Sequence, residues 1–139
     1  MSQKAIRAAF EARLAGWADA RVPALPVAWQ NTEFTPTGAP YLRAFVLPAA
    51  TTSRDAAGEH RQYRGLFQVN VVAPLGSGST LAEQVAAEID TLFPVNLRMP
   101  SQGLLVRVRT PAAVGQATTG TTDHTVPISL SYDVQHYPD

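Results

Sequence analysis

Residues 124–136 carry the tightest constraint in this chain, an unbroken alternation. His124, Val126, Ile128, Leu130, Tyr132, Val134 and His136 occupy the even positions, and Ser129, Ser131, Asp133 and Gln135 the odd ones. A period of two over such a length defines a β-strand with one face in a core and the other polar. So long a strand has backbone groups that must be paired, so the fold has to contain a sheet. Pro127 has no N–H to give to a ladder, and the expectation is therefore a strand at a sheet edge or one broken by a bulge.

The remaining strands follow from the same period. Tyr63, Phe67, Val69 and Val71 alternate with Arg64, Gln68 and Asn70 in a strand from Arg61 to Ala73 that stops at Pro74. Leu104, Val106 and Val108 alternate with Leu105, Arg107 and Arg109 as far as Pro111. Tyr41 to Leu47, closed by Pro48, reads as a further strand, and Pro23 and Pro26 deliver an extended run at Val27-Ala28-Trp29. Helical spacing appears twice. Ala5, Ile6, Ala9, Phe10, Arg13, Leu14 and Trp17 recur at intervals of three and four, which predicts an amphipathic helix ending near Gly16 to Ala20. Thr80 and Glu83 form a capping box ahead of Leu81, Val85, Ile89 and Leu92, and Phe93-Pro94 ends this second helix.

Ala49 to His60 is small and polar and reads as a long hairpin loop, and Pro111 to Thr122 reads as a flexible connection. The order of elements predicts an α+β fold: a largely antiparallel sheet of about five strands with two helices packed on one face. Arg64, Gln68, Asn70, Arg107, Arg109, Ser129, Ser131, Asp133 and Gln135 then share the opposite face, solvated or docked on a neighbour. At 139 residues the chain is expected to be a single domain, 1–139, that buries about two-thirds of its extended surface.

Composition excludes several functions. Eleven basic residues balance eleven acidic ones, so the basic stripe that releases counterions from a nucleic-acid backbone is missing and sequence-specific nucleic-acid binding is disfavoured. Zero cysteines remove disulfides, thiolate metal sites and cysteine nucleophiles. Lys4, Arg7, Glu11 and Arg13 break up the first apolar positions, so no signal-peptide core forms, and no apolar run is long enough for a membrane span. The expected compartment is cytoplasmic.

The candidate chemical motifs each have a plainer explanation. Gly76-Ser77-Gly78-Ser79-Thr80 joins a strand to a helix but lacks the Lys of a phosphate loop and has Leu81 where the dinucleotide fingerprint needs a small residue, so it reads as a tight turn. His60, His124 and His136 with Asp123 and Asp133 resemble a metal set only in composition. His124 and His136 are separated by about 40 Å of extended strand. Glu83, Glu88 and Asp90 fall on the exposed side of the second helix, where carboxylates are ordinarily solvated. Trp17 and Trp29 read as packing residues. No catalytic, cofactor or metal residue is expected.

Several strings together resemble the tail terminator, or tail-completion, proteins of long-tailed bacteriophages and prophages. They are Val27-Ala28-Trp29-Gln30-Asn31 with Phe34 and Pro36, Pro40-Tyr41-Leu42-Arg43, Arg64 to Val71, Gly76-x-Gly78, and Phe93 after the helix. The resemblance implies a structural virion protein, not an enzyme, that caps the head-proximal end of the tail tube as a ring, commonly a hexamer. It would stop tube polymerisation and offer a surface to the head-to-tail connector. The implied partners are further copies of itself, the tail tube protein and the connector protein. Assembly would occur in the host cytoplasm, with the protein then retained in the virion tail. Another connector component, such as a head-completion or stopper protein, and a small-ligand-binding α+β domain remain as alternatives. The resemblance has no catalytic residues to transfer. Interface candidates rest on loop position: Arg54, Asp55 and Glu59 in the first loop, Gln116 and Thr118 in the second.

Overall fold

The computed structural model describes residues 2–22, 24–30, 32–49, 52–53, 61–76 and 80–136. Among these the elements follow in the order α1 (Ser2–Ala20), β1 (Val27–Trp29), β2 (Tyr41–Pro48), β3 (Thr52–Ser53), β4 (Arg61–Pro74), α2 (Thr80–Leu92), β5 (Arg98–Ser101), β6 (Leu104–Val108), β7 (Ala113–Val114), β8 (Thr118–Thr119) and β9 (Asp123–His136). The strands form one sheet along the path β1-β2-β4-β9-β6-β5, with β3 paired to β4, and β7 and β8 paired to β9.

The α+β expectation holds, but the sheet is mixed and larger than about five strands. It is mixed because β1 runs parallel to β2, with Val27 opposite Leu42 and Trp29 opposite Ala44. Parallel neighbours need a connection that returns the chain to the starting end, and residues 30–40 supply it. It is larger because β3, β5, β7 and β8 have two to four residues each, too few to show a period. β5 also contains Pro100, which an outermost strand tolerates. Gln102 and Gly103, with φ of 49° and 84°, make the two-residue turn from β5 into β6, a geometry that favours glycine in the second place.

The last strand is central, which overturns the edge expected from Pro127, while the bulge expected there is found in the neighbouring strand, where residues 115–117 stand opposite only Val126 and Pro127. β9 pairs with β4 over its whole length, from Asp123 opposite Pro74 to His136 opposite Arg61. Its other side is covered in turn by β6, β7 and β8. The proline is accommodated by direction. Its carbonyl accepts the Gly115 N–H at 2.8 Å, so its nitrogen points the same way, into the break between β7 and β8 where no ladder bond is required. The stretch read as a flexible connection is thus an interrupted continuation of β6 along β9. In the same way β3 resumes on β4 within the segment read as the first loop.

The inner face is apolar in cross-strand rows: Leu42, Val71 and Val126; Ala44, Val69 and Ile128; Val46, Phe67 and Leu130. Ile6, Phe10 and Leu14 of α1 and Ala82, Val85 and Ile89 of α2 close over these rows in one core cluster, so both helices cover this face. Phe10 is the hinge of the packing. It stacks on Phe67 at 4.4 Å between centroids and meets Phe93 at 5.6 Å and Tyr132 edge-on at 5.5 Å. Arg13 ties the helices together by donating from Nε to the Leu92 carbonyl at 2.6 Å, satisfying an acceptor that the end of α2 leaves open.

At one point the sheet permits no side chain at all. A Cβ on Gly65 would collide with the Leu47 carbonyl oxygen and lie 2.8 Å from the Tyr132 hydroxyl and 2.9 Å from the Pro48 Cα. That hydroxyl is buried without a hydrogen-bond partner among the described residues, and burial pushes the phenol up to about 12.

Candidate docking face

The outer face is the second product of the same strand alternation, and the register orders it into rows. Arg43, Asn70 and Pro127 form one; Phe45, Gln68 and Ser129 the next; Leu47, Leu66 and Ser131 a third. A fourth runs Arg64, Asp133, Arg107 and Arg98 across β4, β9, β6 and β5. Arg64, Gln68, Asn70, Arg107, Ser129, Ser131 and Asp133, expected on this face, are therefore there. Residues 32–40 cover one end of it: Phe34 lies 4.7 Å from the Tyr41 ring, which packs with Ala28 and Val72, and Arg43 sits 5.5 Å over the Tyr41 ring. The other end is open, and there Leu47, Leu66 and Leu105 are exposed.

At this open end Asp133 is the one charged residue buried among the described residues, 4% exposed. Arg107 donates to its two carboxylate oxygens at 3.1 and 2.8 Å, and Arg109 to Oδ2 at 2.7 Å. Burial by itself would raise the Asp133 carboxyl, but the hydrogen bonds and charges of Arg107 and Arg109 outweigh it and hold the group below its ordinary value. The same hydrogen bond and the carboxylate charge raise Arg107. Between Arg64 and Arg109 lies a cavity of about 380 Å³ whose lining also includes Leu66, Thr110, Ser131 and Asp133.

Gln116 and Thr118 are both exposed; Thr118 pairs through its backbone with Thr125, whereas Gln116 lies in the break between β7 and β8. Arg54, Asp55, Glu59 and His60 lie outside the described residues, as do residues 77–79 of the glycine-rich turn, of which Gly76 has φ +83°. His124 and His136 occupy the two ends of β9. Among the described residues no group of three His, Asp or Glu side chains gathers to hold a metal ion, and no helix is long and apolar enough to cross a membrane.

Glu88 departs from the solvated reading of the α2 carboxylates. It accepts from Trp17 Nε1 at 3.1 Å and is gripped by Arg21, whose Nε and Nη2 both lie 3.1 Å from its oxygens, so it fastens the end of α1 to α2. Asp90 accepts the Ala112 N–H at 3.2 Å. Trp17 and Trp29 pack against the core, as expected. The arginine cluster about Asp133 was only half visible in sequence. Parity puts Arg107, Arg109 and Asp133 on one face, but the register that brings residues 24 and 26 positions apart into contact is set by the sheet.

The chain is thus α+β, with one sheet face sealed by helices and the other covered at one end only. The sequence profile of the phage tail terminator protein family matches residues 5–132. The chain belongs to this family and has a structural role in the phage tail. A solved structure 73% identical to it, aligned over 100% of this chain and 99% of the other, superposes with a TM-score of 0.84. No curated protein matches it.

Proposed function

We propose that this chain caps the head-proximal end of the tail tube as a ring of identical copies, with six copies as the stoichiometry the family resemblance implies. The ring stops tube polymerisation and offers the surface to which the head-to-tail connector joins. The family match over residues 5–132 carries this reading. The open outer face supports it, since a closed ring is built from heterologous contacts that need two different free surfaces on each copy. The partners are the protein itself, the tail tube protein and the connector. The chain works as one domain without a cofactor, is assembled in the host cytoplasm and stays in the virion tail.

Arg54, Asp55, Glu59, Gln116 and Thr118 are proposed contact residues of the ring or its neighbours. Deleting the gene from the phage should give overlong tails by electron microscopy; tails of normal length would overturn the assignment. Replacing Arg54 and Asp55 together with Ala should lower complementation while moving stability by no more than about 0.5 kcal/mol. Full infectivity from that double variant would remove the first loop from the mechanism.

A further inference from the structure

The ring reading leaves unexplained why a chain of zero net charge gathers arginines at one end of one sheet face. Arg64, Arg98, Arg107 and Arg109 stand there on and beside adjacent strands, and Asp133 is the one carboxylate in their row. Asp133 is buried, so the surface presents guanidinium groups: Arg64 and Arg98 are exposed, and the Arg109 side chain is 50% exposed. Three strand spacings put Arg64 and Arg98 about 14 Å apart, the reach of a short peptide segment.

We propose that this open end of the sheet docks an acidic segment of another protein, whose side-chain carboxylates are held by Arg64, Arg98 and Arg109. Charge complementarity selects an acidic partner, and the neighbours of the arginines select a protein. Leu66 and Leu105 are 40% and 43% exposed on either side of the arginine row, a mixture of Arg and apolar side chains that suits a protein interface, whereas a phosphate backbone would pair with the arginines alone and leave both leucines in water. The cavity between Arg64 and Arg109, about 380 Å³, has room for more than one side chain of a docked segment, with Ser131 and Thr110 on its wall as further hydrogen-bonding groups. Asp133 acts from below. By engaging Arg107 on both oxygens and Arg109 on one, it fixes the direction of those guanidiniums before a partner arrives, which lowers the ordering cost of binding. A second copy of the chain is a poorer occupant. Its most acidic helix, α2, already commits Glu88 to Arg21 and Asp90 to the Ala112 amide.

The inference is independent of the ring reading and is tested without phage. Fluorescence anisotropy is measured for a labelled Glu-Leu-Glu-Glu-Leu-Glu peptide on the full chain, on Arg64→Glu with Arg98→Glu, and on the milder Arg64→Gln with Arg98→Gln. Neither arginine donates to Asp133, so the unfolding temperature of the Gln variant should not move, while the charge-reversed variant sets a carboxylate opposite Asp133 and should unfold somewhat earlier. Binding should weaken by about tenfold or more in the charge-reversed variant, less in the Gln variant, and should fall as salt rises from about 50 to about 300 mM. Equal binding by wild type and both variants, or equal binding of the Gln-for-Glu peptide, would overturn the proposal. So would tighter binding of a short DNA duplex lost in the same variants, or a self-association of the wild type by sedimentation that the variants abolish.

Discussion

The two faces of β9 are alternate residues of one strand, yet they are completed in opposite ways. Toward the helices, Val126, Ile128, Leu130, Tyr132 and Val134 are all buried, and α1 and α2 exclude water with the Phe10, Phe67 and Phe93 rings. Toward the outside, Asp133 is buried and paired with Arg107 and Arg109, and Leu66 and Leu105 stay in solvent. The inner face is self-sufficient, its energy coming from apolar area and tight packing. The outer face is covered at one end by residues 32–40, and at the other it has satisfied its one buried charge but left apolar side chains in water. The difference teaches where stability resides and where contact with other molecules remains to be made.

The sharpest test of that difference is Phe10→Ala. Removing the ring that links α1, β4, β9 and Phe93 should cost about 3–5 kcal/mol by urea unfolding, whereas Leu66→Ser on the outer face should cost no more than about 0.5 kcal/mol. Similar losses from the two would break the comparison. A smaller effect is expected at the seam between faces. Gly65→Ala forces a methyl group against the Leu47 carbonyl and the Tyr132 hydroxyl, and should destabilise by about 1–3 kcal/mol through overpacking, with the unfolding midpoint as the readout.

The smallest effect concerns the outer face and depends on pH. Because Asp133 titrates below its ordinary value of 3.8 in the folded chain, its charge contributes stability above that value. The contribution is lost as pH falls from the unfolded value through the lower folded one. Asp133→Asn should therefore be less stable than wild type near neutrality, and the gap should narrow in acid, measured as thermal unfolding across pH. A gap that stayed constant would mean that Asp133 acts through shape rather than charge.

Both helices and the four longer strands, β2, β4, β6 and β9, are legible in the sequence because each spans enough residues to repeat its period. Val85 and Ile89 reach the core from α2, and Val69 and Val71 from β4, as their spacing requires. The short ladders are not legible. Ala113-Val114 and Thr118-Thr119 are held only by the neighbouring β9 backbone, so nothing in their side chains marks them. Pro127 misleads for a related reason: a missing N–H excludes pairing in one direction only, and which direction is a property of the sheet. The site followed the same division. Parity placed Arg107, Arg109 and Asp133 on one face, while Arg98 entered their row through β5, a strand the sequence does not announce.

The broken edge formed by β6, β7 and β8 has a consequence for variation within the family. Each piece is registered on β9 separately, Val108 opposite Tyr132, Val114 opposite Ile128 and Thr118 opposite Thr125, so a change of length in one gap need not shift the pieces beyond it. The gap at residues 109–112 is constrained, since Thr110 bonds Ser131 and Asp90 holds the Ala112 amide. The gap after Gly115 is not tied in this way, and doubling a loop there costs only about 0.6 kcal/mol in closure entropy. Related chains can therefore gain or lose residues around Gln116, and a peptide tag inserted there should leave the sheet intact.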